Sequence, residues 1–392
     1  MNIAVIYDFG VNKGGGDFVM LNILQALHEA GHQVSLITST PLSLEDATVF
    51  FGRNIPNIGI KRVAIPRFIR HPYSIYIIAK KAKKILQNFD LVIVSDDVPK
   101  PLLNAYKILV YVHYPHAARL MHDELKRNVF KETIRGKLLW SLHKLLFPRF
   151  FFTNGLPEKC QVVVNSSLTK NYTEKVYLCD TTLLYPPVEA CKIYEYFKIE
   201  NPKKRNMAVM VGRLEPERQV EIVVEAAKLI KNKYGIGALP HIVIAGFAKD
   251  NKYIKKIFSL VHNYHLEPYI RLYTNISRDE LIKYLFSSKM IISPHPHEQF
   301  GISVVEGMAA HCIPVVRKGF IGPWMDITQQ GMYGIGFSTA DELAEKLYRI
   351  DTVYDSLDVQ QIADRSLKFD EKVFRKSFLD IVSNFVTIKE NQ

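Results

Sequence analysis

Short apolar runs alternate with amphipathic stretches along the whole chain. Ile3 to Phe9 reads as a buried strand, Val11 to Gly16 as a glycine-rich loop, and Asp17 as the N-cap of a helix that ends near Gly31. Val34 to Thr38 is the next strand, so the first 40 or so residues form a β-loop-α-β unit and predict a Rossmann-like parallel sheet. Further strands are expected at Lys61 to Ile65, Leu91 to Ser95, Ile108 to His113 and Gln161 to Asn165. The segment Leu183-Leu184-Tyr185-Pro186-Pro187-Val188 cannot continue as a helix, because each proline restricts the residue before it. A domain boundary is placed there.

The second half repeats the alternation. Strands are expected at Met207 to Val211, Ile242 to Ala245, Ile270 to Tyr273, Met290 to Ser293 and Cys312 to Val316. Helices are expected at Glu217 to Lys231, Tyr253 to His265 and Arg278 to Phe286. A closing amphipathic helix, about Glu371 to Phe385, is expected to return to the first domain. The fold class is therefore α/β, with two Rossmann-like domains at residues 1–186 and 187–368, parallel sheets facing a central cleft, and a C-terminal segment 369–392.

Composition narrows the setting. A hydrophobic share of 48% and a charged share of 23% describe a globular protein. Cys160, Cys179, Cys191 and Cys312 form no C-x-x-C pair, which favours a reducing compartment. No charged leader precedes the first strand, and no apolar run is long enough to span a bilayer, so a cytoplasmic protein is expected. The net charge of +12 is concentrated: Lys61 to Phe150 holds 18 Lys and Arg against 6 Asp and Glu, and the rest of the chain holds 33 of each. Such a field suits an anionic membrane, a phosphate-rich substrate or nucleic acid. The basic stretches are aliphatic and carry no recognised nucleic-acid motif, so nucleic acid is not the expected partner.

Five places carry candidate chemistry. Gly14-Gly15-Gly16-Asp17 lets backbone approach a ligand at a helix N-terminus, or is simply a tight turn. It lacks G-x-G-x-x-G spacing, and Thr38-Ser39-Thr40 offers no acid for a ribose, which disfavours an ordinary NAD site. In Gly212-Arg213-Leu214-Glu215-Pro216-Glu217-Arg218, two guanidiniums five residues apart follow a strand and could converge on a diphosphate, or lie solvated on a surface turn. Glu298 and Glu306 flank Gly301 at the start of a short helix, although Ser303 to Glu306 also fits a capping box. His113, in Tyr-Val-His-Tyr-Pro-His116, sits at a strand end where α/β sites collect, or is a buried histidine satisfied by backbone. His295, His297 and Glu298 offer metal-ligand chemistry but have no matching distant cluster, so no metal is expected.

Two basic, apolar stretches complete the picture. Ser74 to Gln87 gathers Ile75, Ile78, Ala79, Ala82, Ile85 and Leu86 on one helical stripe beside Lys80, Lys81, Lys83 and Lys84. Lys137 to Phe147, with Trp140, is followed by Pro148-Arg149-Phe150-Phe151-Phe152. Packing on the sheet is the default for the first; together they point to peripheral contact with an anionic membrane.

In their order along the chain, Gly14 to Gly16, His113, the G-R-L-x-P-E run from Gly212 to Glu217, and Glu298 to Glu306 inside E-Q-F-G-I-S-V-V-E-G-M-A-A resemble the GT-B glycosyltransferases of family 4. The resemblance covers essentially the whole chain. Tyr111-Val-His-Tyr-Pro, Val164-Asn-Ser-Ser-Leu-Thr and Tyr185-Pro-Pro-Val are most similar to the eukaryotic α-1,2-mannosyltransferases that extend the dolichol-linked oligosaccharide. It implies a retaining enzyme that moves a sugar, mannose from GDP-mannose first, from a nucleotide sugar to a lipid-linked glycan at the cytosolic membrane face. A UDP-sugar enzyme with a soluble acceptor, or a non-catalytic nucleotide-sugar or glycan binder, is the alternative.

By the same resemblance Arg213 and Arg218 would bind the donor diphosphate, and Glu298 the sugar hydroxyls. Glu306 would hold the ribose, and amides near Phe300, Gly301 and Ile302 would meet the phosphate and sugar. Gly15 and Gly16 would approach the diphosphate, and His113 the sugar. No metal cofactor is implied. The chain departs from the family in having Arg at 218 where Lys is frequent, Asn275 where Gly is common, and Lys318-Gly-Phe-Ile-Gly322-Pro323 in place of an S-G-G-P turn.

Overall fold

A computed structural model describes residues 1–9, 14–39, 58–66, 69, 71–121, 134–248 and 251–387. Residues 11–13 of the glycine-rich loop lie outside the described residues. The chain divides into two compact units, Met1–Pro187 with Lys372–Gln392, and Val188–Glu371.

The first unit is a parallel sheet of seven strands: β1 (Asn2–Ile6), β2 (Gln33–Thr38), β3 (Gly59–Arg62), β4 (Leu91–Ser95), β5 (Ile108–Val112), β6 (Cys160–Val164) and β7 (Thr181–Leu183). Its order is β3-β2-β1-β4-β5-β6-β7. The central strands are apolar at nearly every position because helices cover both faces. On one face Val5, Ile93 and Tyr111 pack with Met20, Ile23 and Leu24 of the helix Gly15–Glu29. On the other, Val92, Val94 and Val110 meet Ile75, Ile78, Ala79, Ala82 and Leu86 of the helix Tyr73–Leu86. The apolar stripe of that helix thus packs on the sheet, while Lys80, Lys81, Lys83 and Lys84 are exposed.

The C-terminal helix Glu371–Thr387 belongs to the same unit from Lys372 onward. Phe374, Phe378, Val382 and Phe385 recur at helical spacing and are buried in the cluster that holds Ile3 and Val5. Arg375 donates to Asn22 Oδ1 at 3.1 Å, and Lys107 Nζ to the Val386 carbonyl at 2.6 Å.

The second unit is a parallel sheet of six: β8 (Arg205–Val211), β9 (His241–Gly246), β10 (Ile270–Thr274), β11 (Ser288–Ser293), β12 (Ile313–Arg317) and β13 (Ile335–Phe337), in the order β10-β9-β8-β11-β12-β13. Counted within its own unit this is 3-2-1-4-5-6, the order of the first six strands of the other sheet. In each unit the order reverses beside the first strand, between β1 and β4 and between β8 and β11. Ligands of doubly wound sheets bind outside the carboxyl ends of the strands at that point.

Three local readings need correction. Asp17 is not the N-cap: the helix starts at Gly15 with Gly14 as its cap, and the Asp17 carboxylate reaches back to the Gly14 N–H at 2.9 Å. No helix begins at Glu217; Pro216–Arg218 is a single 3₁₀ turn that ends at Gln219 in the left-handed region, and the helix runs Glu221–Tyr234. Ser303 and Glu306 form no capping box, because the helix Ile302–Ala309 is capped by Gly301 and Ser303 Oγ instead donates to the Val211 carbonyl at 3.1 Å.

Candidate functional site

In the second unit the switch point gathers the residues that follow β8 and β11. After β8 the chain runs Gly212-Arg213-Leu214, where buried Leu214 anchors the turn by donating its N–H to the Phe247 carbonyl at 2.8 Å. Arg213 is half exposed and lies 3.3 Å from Glu215. The guanidinium of Arg218 turns inward and pairs directly with the Glu298 carboxylate, both side chains being largely buried. Burial and the nearby Arg213 push the Arg218 guanidinium down to about 10, so it is charged at neutral pH.

The loop after β11 carries Glu298 and Gly301. Gly301 sits at φ 103°, and a Cβ there would approach Pro323 Cγ at 3.1 Å. Glycine meets both conditions at once. Gly322 packs still closer, since a Cβ at that position would fall 2.0 Å from the Gln299 carbonyl oxygen, and its N–H donates to the Glu298 carbonyl at 3.0 Å. The Lys318–Pro323 segment, where the chain departs from S-G-G-P, therefore braces the loop that presents Glu298. Phe300 is buried against Phe369, with ring centroids 5.4 Å apart.

Ile302 opens the helix, and the first amides of a helix have no intrahelical acceptor. They give this loop its anion-binding capacity. His295 is buried beside the arginines, and its Nδ1 accepts the His297 N–H at 3.2 Å. Burial, then Arg218, His297 and Arg213, push its pKa down to about 2, so the ring is neutral. Among the described residues no group of three or more His, Cys, Asp or Glu is arranged to hold a metal ion.

Glu306 lies in the second turn of the helix and is buried. Its carboxylate takes a 2.6 Å contact from Arg278, the first residue of the helix Arg278–Ser287, and Arg278 also lies 3.6 Å from Glu189. Arg278 was not among the sequence candidates. Its helix start was legible in the Ser277-x-x-Glu280 capping box, which is present, but nothing local signals a partner 28 positions away. Asn275 precedes it at φ 58°, a left-handed conformation that Asn tolerates and that accounts for glycine being common there.

In the first unit Gly15 and Gly16 open the helix after β1, and His113 follows β5. A Cβ on Gly16 would lie 3.4 Å from the Tyr7 hydroxyl and 3.5 Å from His113 Nε2, so the glycine keeps its backbone next to both groups. Tyr7 donates to Asp17 Oδ1 at 3.0 Å. His113 is fixed through its backbone: its N–H donates to Asp96 Oδ1 at 2.8 Å and its carbonyl accepts from Thr169 Oγ1 at 3.1 Å. Burial lowers the pKa of its ring against the opposing pull of Asp96 and Asp17. Its Nε2 is buried with no hydrogen-bond partner among the described residues. His116, by contrast, is satisfied by Asp97 at 2.7 Å. At the end of β2, Thr38 and Ser39 turn their hydroxyls to Asp8 at 3.2 and 2.8 Å.

The structure thus brings Arg213, Arg218, Glu298, Phe300, Gly301, Ile302 and Glu306 to one sheet's switch point, and Gly15, Gly16 and His113 to the other's. The model of the glycosyl transferases group 1 matches residues 194–351, and that of glycosyltransferase family 4 matches residues 13–190. The GDP-Man:Man(3)GlcNAc(2)-PP-Dol alpha-1,2-mannosyltransferase of Mus musculus is 30% identical over 55% of this chain and 47% of its own length. Its counterpart in Dictyostelium discoideum is 25% identical over 73% of this chain and 60% of its own length, and that of Homo sapiens 27% over 69% and 59%. The chain therefore spans roughly half to three fifths of these relatives.

Among solved structures, a glycosyltransferase from Rickettsia africae superposes with a TM-score of 0.70 at 16% identity, over 98% of both chains. Sucrose-phosphate synthase from Thermosynechococcus elongatus gives 0.69 at 16% over 99% of both. Anabaena HepE in complex with UDP gives 0.66 at 15% over 98% of this chain and all of that one. The fold is GT-B.

Proposed function

We propose that this chain, whose residues 13–190 match the glycosyltransferase family 4 model and residues 194–351 the glycosyl transferases group 1 model, is a retaining glycosyltransferase that moves mannose from GDP-mannose onto a lipid-linked glycan. The observation that carries the reading is the arrangement at the switch point between β8 and β11. Two guanidiniums, two buried carboxylates and a glycine-capped helix N-terminus converge there. Their chemistry fits the parts of a nucleotide sugar: cationic groups for the diphosphate, acceptor oxygens for hydroxyls, backbone donors for phosphate.

In this proposal Arg213 and Arg218 neutralise charge that builds on the departing diphosphate, the kind of contribution that dominates many transfer reactions. Glu298 accepts from sugar hydroxyls and Glu306 from the ribose. Amides at Phe300, Gly301 and Ile302 meet the phosphate and sugar. His113 takes the sugar contact and Gly15 and Gly16 the diphosphate contact. Support for the histidine comes from its buried, unpartnered Nε2 beside Gly16. No metal enters the proposal, since the two guanidiniums supply the cationic charge.

We place the reaction at an anionic membrane on the cytosolic side. The helix Ile134–Phe150 supports this: Phe147 packs into the unit, stacked on Phe151 at 4.6 Å, while Leu138, Leu142 and Leu145 are 71%, 49% and 57% exposed. Those leucines lie at i, i+4 and i+7, on one face, with exposed Lys137, Lys144 and Arg149 on the same helix. Among the described residues no helix is long and apolar enough to cross a membrane.

The test is a donor screen by nucleotide release, followed by transfer to a panel of lipid-diphosphate glycans. Mannosyl transfer from GDP-mannose that falls with Glu298→Ala supports the proposal. It is overturned by a UDP-sugar donor with a soluble acceptor, by donor binding without turnover, or by a Glu298→Ala variant as active as the parent.

A further inference from the structure

Glu306 is a buried carboxylate on a helix of apolar neighbours, Val304, Val305 and Met308, and Arg278 is the partner its side chain has among the described residues. The contact involves Oε1, at 2.6 Å. A carboxylate offers about four lone-pair directions over two oxygens. One guanidinium contact therefore anchors the first oxygen and leaves acceptor capacity on the second. A ribose presents two vicinal hydroxyls, both of which can donate. Arg278 is itself held, as the first residue of a helix with an intact capping box and within 3.6 Å of Glu189, the residue that precedes the helix Ala190–Glu200. The guanidinium is thus placed by one helix start and steadied by a second acid.

We propose that Arg278 is a specificity-determining positioning residue: it holds the Glu306 carboxylate oriented so that the nucleotide's ribose hydroxyls, and not a deoxyribose, satisfy it. The inference rests on the reading that Glu306 receives the ribose. Without the guanidinium the carboxylate loses the contact that orients it among apolar side chains. A carboxylate free to rotate no longer presents its acceptors in the directions that the two hydroxyls need. The alternative is that Arg278 only staples the segment at Glu189 to the helix of Glu306.

The experiment uses the full chain and measures binding of GDP and 2′-deoxy-GDP, and of UDP and 2′-deoxy-UDP, by titration calorimetry. The parent should prefer the ribonucleotide by about tenfold, the order of one hydrogen bond to a charged group. Arg278→Met should bring the ratio close to one while affinity for inorganic pyrophosphate is unchanged. Arg278→Lys should restore part of the preference. A staple predicts a different outcome: a lower unfolding midpoint in Arg278→Met and Glu189→Gln alike, with the ribose preference intact in Arg278→Lys and in whatever Arg278→Met folds, and that result overturns the inference. Glu306→Gln separates the two levels. If Glu306→Gln abolishes the preference and Arg278→Met does not, this inference fails and the ribose reading stands. If Glu306→Gln changes nothing, the ribose reading fails and this inference with it.

Discussion

Arg218 and Glu298 are each other's partner, and both are largely buried. Removing one member of such a pair leaves an uncompensated charge, which costs about 3–5 kcal/mol when burial is complete. Glu298→Ala is therefore expected to lower the unfolding free energy of its unit by a few kcal/mol on that scale, and to show strong coupling with Arg218→Met in a double-mutant cycle followed by denaturant unfolding. Additive effects would mean that the two groups do not interact in solution. On turnover, Arg218→Ala should cost about 10²–10³-fold, the scale of one lost transition-state donor. Arg218→Lys should recover only part of it, because the ammonium keeps the charge and loses the fork.

His295 gives a pH dependence of known sign. It is neutral in the folded state down to about pH 2, whereas an unfolded histidine takes up a proton near 6.5. Below 6.5 the unfolded chain binds the extra proton, so this residue's effect is to weaken the fold progressively as pH falls from 6.5 toward 2. The slope of unfolding free energy against pH in that window should be shallower in His295→Asn than in the parent. Much of this site was legible residue by residue, because Arg213, Glu298 and Glu306 each stand beside a strand end or a helix start that periodicity reveals. Arg278 was not. Its role depends on a contact between two helices that start 24 positions apart, and charge at a helix start is ordinarily solvated.

At the level of elements, the strands of both sheet interiors were readable because burial on both faces makes them continuously apolar. Two edge strands were not: β7 and β13 have three residues each, too few for any period, and are recruited by neighbours already in place. Helix starts slipped for a related reason, since Asp17 and Ser303 have capping chemistry but glycine, at Gly14 and Gly301, takes the cap position. The helix Ile134–Phe150 carries a prediction of its own. Co-sedimentation of the full chain with vesicles containing anionic phospholipid should fall several-fold in a Leu138→Ser, Leu142→Ser, Leu145→Ser variant, and fall with rising salt in the parent. Equal binding by parent and variant would remove this face from any membrane role.

For the whole molecule, the connectivity is the informative feature. The chain leaves the first unit after Pro187 and contributes to it again from Lys372, where Phe374, Phe378 and Val382 complete its core. Residues 1–187 expressed alone should consequently be poorly soluble, and joining residues 372–392 through a flexible linker should restore a cooperative unfolding transition. Within that fusion Phe378→Ala should cost about 3–5 kcal/mol, as for other buried phenylalanines. A soluble, cooperatively folded 1–187 fragment would contradict this. The two sheets share one strand order, and that repetition puts the Gly14–Gly16 segment and the Gly212–Arg218 segment each after the first strand of its own unit.

The acids and guanidiniums of the second unit have one more consequence. Arg213 faces Glu215, Arg218 faces Glu298, Arg278 faces Glu306, and His295 carries no charge. Each of these guanidiniums is already paired with a carboxylate, so in the proposed reading an arriving diphosphate trades places with a carboxylate instead of meeting unpaired cations. Attraction at a distance is small for such a site, and mobile ions have little net field to screen. Nucleotide affinity should then vary by less than about threefold between 50 and 500 mM salt, measured by calorimetry, so that ionic strength acts on the basic surface proposed to meet a membrane and leaves capture of the nucleotide nearly untouched.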